Sequence, residues 1–129
     1  MGSAIDITPM VPEGTRIIVG YGGGQFQVAS DIHQGSIIIL PDRVIECQLA
    51  FDDAYDESMI SPLIEATSEF DLLIIGCGET FFAPPKPLRP FLKEHQIVLE
   101  WMDTGAACRT FNVLLAEGRR VAAALVVTE

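Results

Sequence analysis

The residues best suited to chemistry form one run near the end of the chain, residues 103–112. It reads Asp-Thr-Gly-Ala-Ala-Cys-Arg-Thr-Phe-Asn and so combines a carboxylate, a hydroxyl, a thiol, a guanidinium and an amide. Asp103 or Thr104 can cap a helix by accepting hydrogen bonds from its first N–H groups, and Gly105 lets a ligand approach the backbone closely. The positive end of the helix dipole would face that ligand. Capping and packing explain these residues about as well as catalysis does.

The spacing within this run predicts two faces for the helix. Arg109 and Asn112 are three residues apart, so we expect them to share a face and to present a guanidinium and an amide. Ala107, Phe111 and Leu114 form the opposite stripe, which is expected to face the core. Arg109 is equally well placed to pair with Asp103 or Glu117.

Cys108 lies about one turn into the predicted helix, where the dipole would lower its pKa and favour a thiolate. A nucleophile also needs a nearby base. The two histidines, His33 and His95, lie in loop-like segments, and nothing in the sequence brings either of them close. A small apolar core residue is the alternative interpretation of Cys108.

A second loop follows the apolar run Asp71–Gly76, which is typical of a strand covered on both faces. If this strand and the strand Ile97–Trp101 are parallel, the loops 76–82 and 102–106 meet at the carboxyl edge of the sheet, where open α/β sheets bind ligands. Gly76-Cys77-Gly78 matches only the start of a dinucleotide motif, because Phe81 stands where the third glycine belongs. The candidate binding residues are Gly76, Cys77, Gly78, Thr80, Asp103, Thr104, Gly105, Cys108, Arg109 and Asn112, and no catalytic residue is assigned.

The elements around these loops predict an α/β fold. Strands at Asp71–Gly76, Ile97–Trp101 and Arg120–Val127 alternate with a short helix near Pro87–Glu94 and a long one at Gly105–Glu117, ended by Gly118. This order predicts a parallel β-α-β-α-β portion.

The first half of the chain predicts antiparallel hairpins. Thr15–Tyr21 and Gln25–Ala29 flank three glycines, while Ser36–Leu40 and Val44–Leu49 flank a turn at 41–43. A helix is expected from Ser61-Pro62 to about Ser68, behind the acids Asp52, Asp53, Asp56 and Glu57. Those acids lack the calcium-loop pattern, so no metal site is predicted. Together these patterns predict an α/β domain in which antiparallel hairpins precede a parallel portion.

The composition narrows the classes of protein. With 129 residues, 49% of them hydrophobic, the chain suits a single domain over 1–129, with residues 1–14 as an irregular arm. Its net charge of −10 argues against nucleic-acid binding. Three cysteines without a Cys-x-x-Cys motif fit the reducing cytoplasm. No secretory signal, transmembrane segment or cofactor is predicted.

Four segments carry a family resemblance: Ile74-Ile75-Gly76-Cys77-Gly78, Trp101–Thr104, Ala107–Leu114 and Glu117–Leu125. They resemble a domain-of-unknown-function family founded on a small archaeal methanogen protein. That family includes the mitochondrial NADH:ubiquinone oxidoreductase complex assembly factor 3 and an adipogenesis-associated animal member. The resemblance implies a three-layer α/β fold around a mixed sheet, no established catalytic residue, and a role exerted through protein partners at a membrane. This chain lacks the mitochondrial presequence, which suggests a prokaryotic relative.

Two functional hypotheses follow. The first is a non-catalytic binding or assembly-factor-like module, linked to respiratory-complex or membrane-protein biogenesis. Phe81, Phe82 and the neighbouring prolines would give it an apolar surface for a protein partner, and any membrane association would be peripheral, through that partner. The alternative is a small-molecule or anion-binding enzyme that uses the 76–82 and 102–112 loop edge. Exposed strand edges would also permit a homodimer.

Overall fold

The computed structural model describes the backbone of residues 5 and 6 and the whole of residues 16–129. The chain begins with a four-stranded antiparallel sheet in which the strands pair in sequence order. Its strands are β1 (Ile5–Asp6), β2 (Ile18–Gly22), β3 (Gln25–Val28) and β4 (Asp31–Gln34). The predicted arm over residues 1–14 lies outside the described residues except for Ile5–Asp6, which pairs with β2.

The second sheet is mixed and has the order β6-β5-β9-β7-β8. Strand β7 is parallel to both of its neighbours, β9 and β8, while β5 is antiparallel to β6 and β9. Its strands are β5 (Ser36–Leu40), β6 (Arg43–Cys47), β7 (Leu72–Gly76), β8 (Leu99–Met102) and β9 (Val121–Leu125). The predicted parallel portion is therefore confirmed, and the carboxyl ends of β7, β8 and β9 share one edge.

The helices cover both faces of the mixed sheet. One face packs against α1 (Ser61–Glu65) and α2 (Leu88–Glu94). The other packs against α3 (Thr104–Ala116) and the four-stranded sheet. The predicted three-layer α/β arrangement is confirmed. None of the helices in the described part of the chain has the length and apolar character needed to cross a bilayer.

Several boundaries differ from the sequence-based expectation. The pattern missed β4, whose side chains are largely exposed and so show no apolar periodicity. The helix expected to run to about Ser68 ends at Glu65, between two 3₁₀ turns, Glu57–Ile60 and Thr67–Glu69. Asp56, one of the acids ahead of the helix, caps the first of these turns by accepting a hydrogen bond from the Ser58 N–H at 2.8 Å.

The end of α3 agrees with the sequence. Gly118 follows the helix with a φ of 81°, a left-handed conformation that favours glycine. Its N–H donates to the Leu115 carbonyl at 3.0 Å, and the Arg119 N–H donates to the Leu114 carbonyl at 3.0 Å. This pair of bonds satisfies carbonyls that the helix itself leaves open.

Candidate functional site

Thr104 lies at the centre of the predicted site and is completely buried. Its N–H donates to the Gly78 carbonyl at 2.9 Å, and its hydroxyl accepts a hydrogen bond from the Gly78 N–H at 3.0 Å. The same hydroxyl donates to the Val126 carbonyl at 2.7 Å. One side chain thus joins the first turn of α3 to the segments that follow β7 and β9, and its polar groups are committed to the protein itself.

Gly76 allows this close approach of α3 to the sheet. A Cβ atom added there would lie 2.8 Å from Thr104 Cα and 3.0 Å from Ala107 Cβ, both too close for carbon atoms. The Gly76 carbonyl also accepts a hydrogen bond from the Val126 N–H at 2.9 Å. The glycine at this strand exit therefore serves packing between a helix and a sheet.

Asp103 caps α3. Its backbone is extended, and its Oδ1 accepts a hydrogen bond from the Ala106 N–H at 2.9 Å. This satisfies one of the N–H groups that a helix start leaves unpaired. The capping interpretation of the Asp-Thr-Gly run is borne out at this residue.

Asn112 corrects the predicted division of α3 into two faces. It is 2% exposed, and its side chain pairs with the backbone of Ile18 on β2. Its Oδ1 accepts from the Ile18 N–H and its Nδ2 donates to the Ile18 carbonyl, each at 2.8 Å. The expectation that Asn112 shares an exposed face with Arg109 is wrong, because α3 is covered on two sides, by the mixed sheet and by β2.

Cys108 is also buried, which confirms its interpretation as a small apolar core residue and argues against a thiolate. Burial raises the pKa of its thiol to about 12; nearby Arg109 opposes this rise and Asp103 adds to it. Cys77 is likewise buried, and its thiol lies 3.6 Å from the Thr80 carbonyl, which accepts a weak hydrogen bond from it. Burial is thus the largest influence on the pKa of Cys108, because it disfavours the charged thiolate.

Arg109 stays exposed and borders an open pocket of about 320 Å³ at the start of α3. Its Nη1 lies 3.4 Å from the hydroxyl of Tyr21, the last side chain before the glycine turn of the first hairpin. That hydroxyl leaves no room for a side chain at residue 105, where a Cβ atom would lie 2.7 Å from it. The pocket is lined by Tyr21, Gly22, Glu79, Asp103, Gly105, Arg109, Thr128 and Glu129.

The pocket therefore combines three carboxylates with one guanidinium. Among the described residues, no group of three His, Cys, Asp or Glu side chains converges closely enough to hold a metal ion. Of the residues that line the pocket, the sequence-based candidates include Asp103, Gly105 and Arg109 but not Tyr21, Gly22, Glu79, Thr128 and Glu129. Tyr21 is 88 residues from Arg109, and no local pattern in the sequence reports such a contact.

Two phenylalanines stand beside this edge, in the loop that follows β7. Phe81 is 59% exposed and Phe82 is 38% exposed. The Phe82 carbonyl accepts a hydrogen bond from Trp101 Nε1 at 2.7 Å, and the two rings meet edge to face with centroids 5.9 Å apart. Trp101 rests in turn on Phe51, at 5.4 Å. The loop therefore has an ordered aromatic support and displays Phe81 to solvent.

Residues 18–126, which include every predicted site residue, match the model of a family described as protein of unknown function (DUF498/DUF598). The chain belongs to this family. An uncharacterized protein of Rhodobacter capsulatus is 36% identical over 113 residues, covering 88% of this chain and 86% of that protein.

Two further relatives carry descriptions. The Drosophila melanogaster protein named NADH dehydrogenase [ubiquinone] 1 alpha subcomplex assembly factor 3 is 35% identical over 85% of this chain, which spans 58% of that protein's length. A crystal structure from Bartonella henselae, described as an outer membrane protein, superposes with a TM-score of 0.81 at 40% identity. It covers 90% of this chain and 98% of its own.

The raised pKa of Cys108 predicts protection from alkylation. At pH 8, a thiol with a pKa near 12 is thiolate in about one molecule in ten thousand. We expect iodoacetamide to leave Cys108 unmodified in the native protein and to modify it rapidly in urea, as measured by peptide mass spectrometry. Alkylation of native Cys108 at a rate near that in urea would contradict the structure.

Proposed function

We propose that this protein is a non-catalytic assembly factor, which binds a protein partner during the biogenesis of a respiratory complex or another membrane-protein complex. The relative named as an assembly factor supports this proposal for the domain that the two proteins share. The observation that carries it in the structure is the display of Phe81 and Phe82 on an ordered support.

The fate of the predicted site residues supports a binding role. The side chains of Thr104 and Asn112 form the hydrogen bonds described above with backbone groups of the protein itself. Cys108 is buried with a protonated thiol at neutral pH. The side chains that make the Asp103–Asn112 run look catalytic are thus mostly engaged in holding the fold together.

The two phenylalanines have the properties of a binding anchor. An exposed aromatic side chain on a rigid base loses little conformational entropy when it is buried by a partner. Phe81 has that base because the adjacent Phe82 is tied to Trp101 through both its ring and its carbonyl. The intermediate exposure of Pro84 and Pro85 extends the apolar surface along the loop.

We place this activity in the cytoplasm, with membrane contact only through the partner. All three cysteines, Cys47, Cys77 and Cys108, are free thiols in the structure, as is usual in a reducing compartment. The strongly negative net charge would disfavour direct contact with an anionic membrane surface.

The proposal predicts that a single substitution at Phe81 weakens binding of the protein partner. Phe81→Ser and Ile32→Ser each replace one large apolar side chain of similar exposure, 59% and 53%, but Ile32 lies on β4. We expect affinity capture from the native host, after mild crosslinking, to recover a specific protein with the wild type and with Ile32→Ser. Phe81→Ser should recover about tenfold less, since a truncated aromatic anchor costs 1.4 kcal/mol or more. Recovery of no specific protein by the wild type would overturn the proposal.

A second candidate function is ligand binding in the pocket at the start of α3. The open volume beside Arg109 favours it. Since Glu79, Asp103 and Glu129 surround that one guanidinium, the lining suits a zwitterion, which carries both charges, better than a simple anion.

This candidate predicts a ligand that depends on Arg109. A thermal-shift screen of small zwitterions and anions should give a compound that raises the Tm of the wild type and of Arg89→Ala, an exposed arginine on α2 outside the pocket. The same compound should leave the Tm of Arg109→Ala unchanged. A compound that stabilises Arg109→Ala as strongly as the wild type binds elsewhere and would exclude this site.

A further inference from the structure

The outer edge of the mixed sheet at β8 carries backbone groups that pair with nothing in the described part of the chain. The carbonyls of Val98 and Met102 accept hydrogen bonds from the Leu73 and Cys77 N–H groups, each at 2.9 Å. The backbone N–H and C=O groups of successive residues in a strand point to opposite sides, so those of residues 98, 100 and 102 point towards β7. The N–H and C=O groups of Leu99 and Trp101 therefore point away from the sheet, and β8 is its last strand.

We propose that β8 receives an extended segment of the protein partner as an added antiparallel strand, with a lysine or arginine of that segment opposite Glu100. This inference rests on the proposed function and identifies the surface and the chemistry of the partner. Strand addition gains affinity from backbone hydrogen bonds and specificity from alternate side chains.

The side chains of β8 fit an added strand on both faces. Leu99 and Trp101 are half-buried against the core that contains α2, so on this face a partner side chain would meet apolar groups. Val98 and Glu100 lie on the opposite face and are exposed, Val98 by 58%. α3 packs mainly over β7 and β9 and contacts β8 less, so Val98 and Glu100 stay exposed on that face.

The negative charge of Glu100 indicates which kind of segment would pair with β8. We consider an added antiparallel strand that forms backbone hydrogen bonds with both Leu99 and Trp101. One of its residues lies directly opposite Glu100 in a non-hydrogen-bonded pair, where the two Cα atoms are about 4.5 Å apart. Opposite charges at such a position attract and like charges repel. The overall charge of −10 acts in the same direction at longer range and favours a basic segment.

A second copy of this chain fits the same edge poorly. Two-fold pairing of β8 with itself that uses both Leu99 and Trp101 would place the two Glu100 carboxylates opposite each other. Each copy would also bring a net charge of −10. A charged residue at an open edge is a common protection against self-association, and here it leaves the edge available to a partner of opposite charge.

The test locates the contact within the cell. A photo-crosslinking amino acid replaces Val98 in one variant and Val113, which is 55% exposed on α3, in a second. We expect the variant at 98 to crosslink to a segment of the partner that contains lysine or arginine, and the variant at 113 to give no such crosslink. A crosslink to a second copy of this chain would overturn the proposal.

The mapped segment is then synthesised as a peptide and titrated into the protein. We expect hydrogen exchange at the Leu99 and Trp101 amides to slow at least tenfold. Glu100→Lys should weaken binding about tenfold, whereas Asp53→Lys, which changes the net charge equally at an exposed loop residue, should leave it unchanged.

The outcomes separate this inference from the proposed function. If the partner is captured in a Phe81-dependent way but gives no crosslink at residue 98 and no protection of Leu99 and Trp101, the strand addition is wrong and the assembly role stands. Equal binding by Glu100→Lys and Asp53→Lys would likewise exclude a basic residue opposite Glu100. If no partner is captured at all, both proposals fail.

Discussion

The Thr104 hydroxyl accepts a hydrogen bond from the Gly78 N–H and donates one to the Val126 carbonyl, and the rest of the carboxyl edge depends on these two bonds. They hold the loop after β7 and the segment after β9 against the first turn of α3. Gly76 permits that contact because its missing side chain leaves room for the Thr104 backbone. In a site without access to water, each polar atom left without a partner would carry its full desolvation cost.

The parts of the fold that local patterns encode could be predicted from the sequence. The apolar run before Gly76, the capping residue Asp103 and the terminating Gly118 each act on their immediate neighbours, and the structure bears them out. The roles of Asn112 and Tyr21 could not be predicted, because they depend on β2 packing against α3 across more than eighty residues. The spacing of residues in α3 predicts one buried and one exposed face. In the structure the mixed sheet and β2 cover the helix on two sides, so Asn112 is buried and not exposed.

The buried and the exposed residues near the carboxyl edge of the sheet have different roles. Most of the residues that resemble a catalytic site join α3 to the two sheets, whereas Phe81, Arg109, Val98 and Glu100 keep exposed side chains. A rigid core that positions exposed aromatic and edge-strand groups is what a protein-binding module requires. Conversely, the interior position of Cys108 removes the best nucleophile in the run from contact with any substrate.

The central claim is that the hydrogen bonds of the Thr104 hydroxyl stabilise the fold. The most direct test compares the unfolding free energies of Thr104→Val and Thr104→Ser in urea. Valine keeps the shape but leaves the Gly78 N–H and the Val126 carbonyl unpaired, which should cost about 2–4 kcal/mol. Serine keeps the hydroxyl and loses one methyl group, which should cost about 1 kcal/mol. Hydrogen exchange at the Gly78 amide should accelerate in the valine variant alone. Equal stability of the two variants would contradict the account and would mean that the hydroxyl is free for another role.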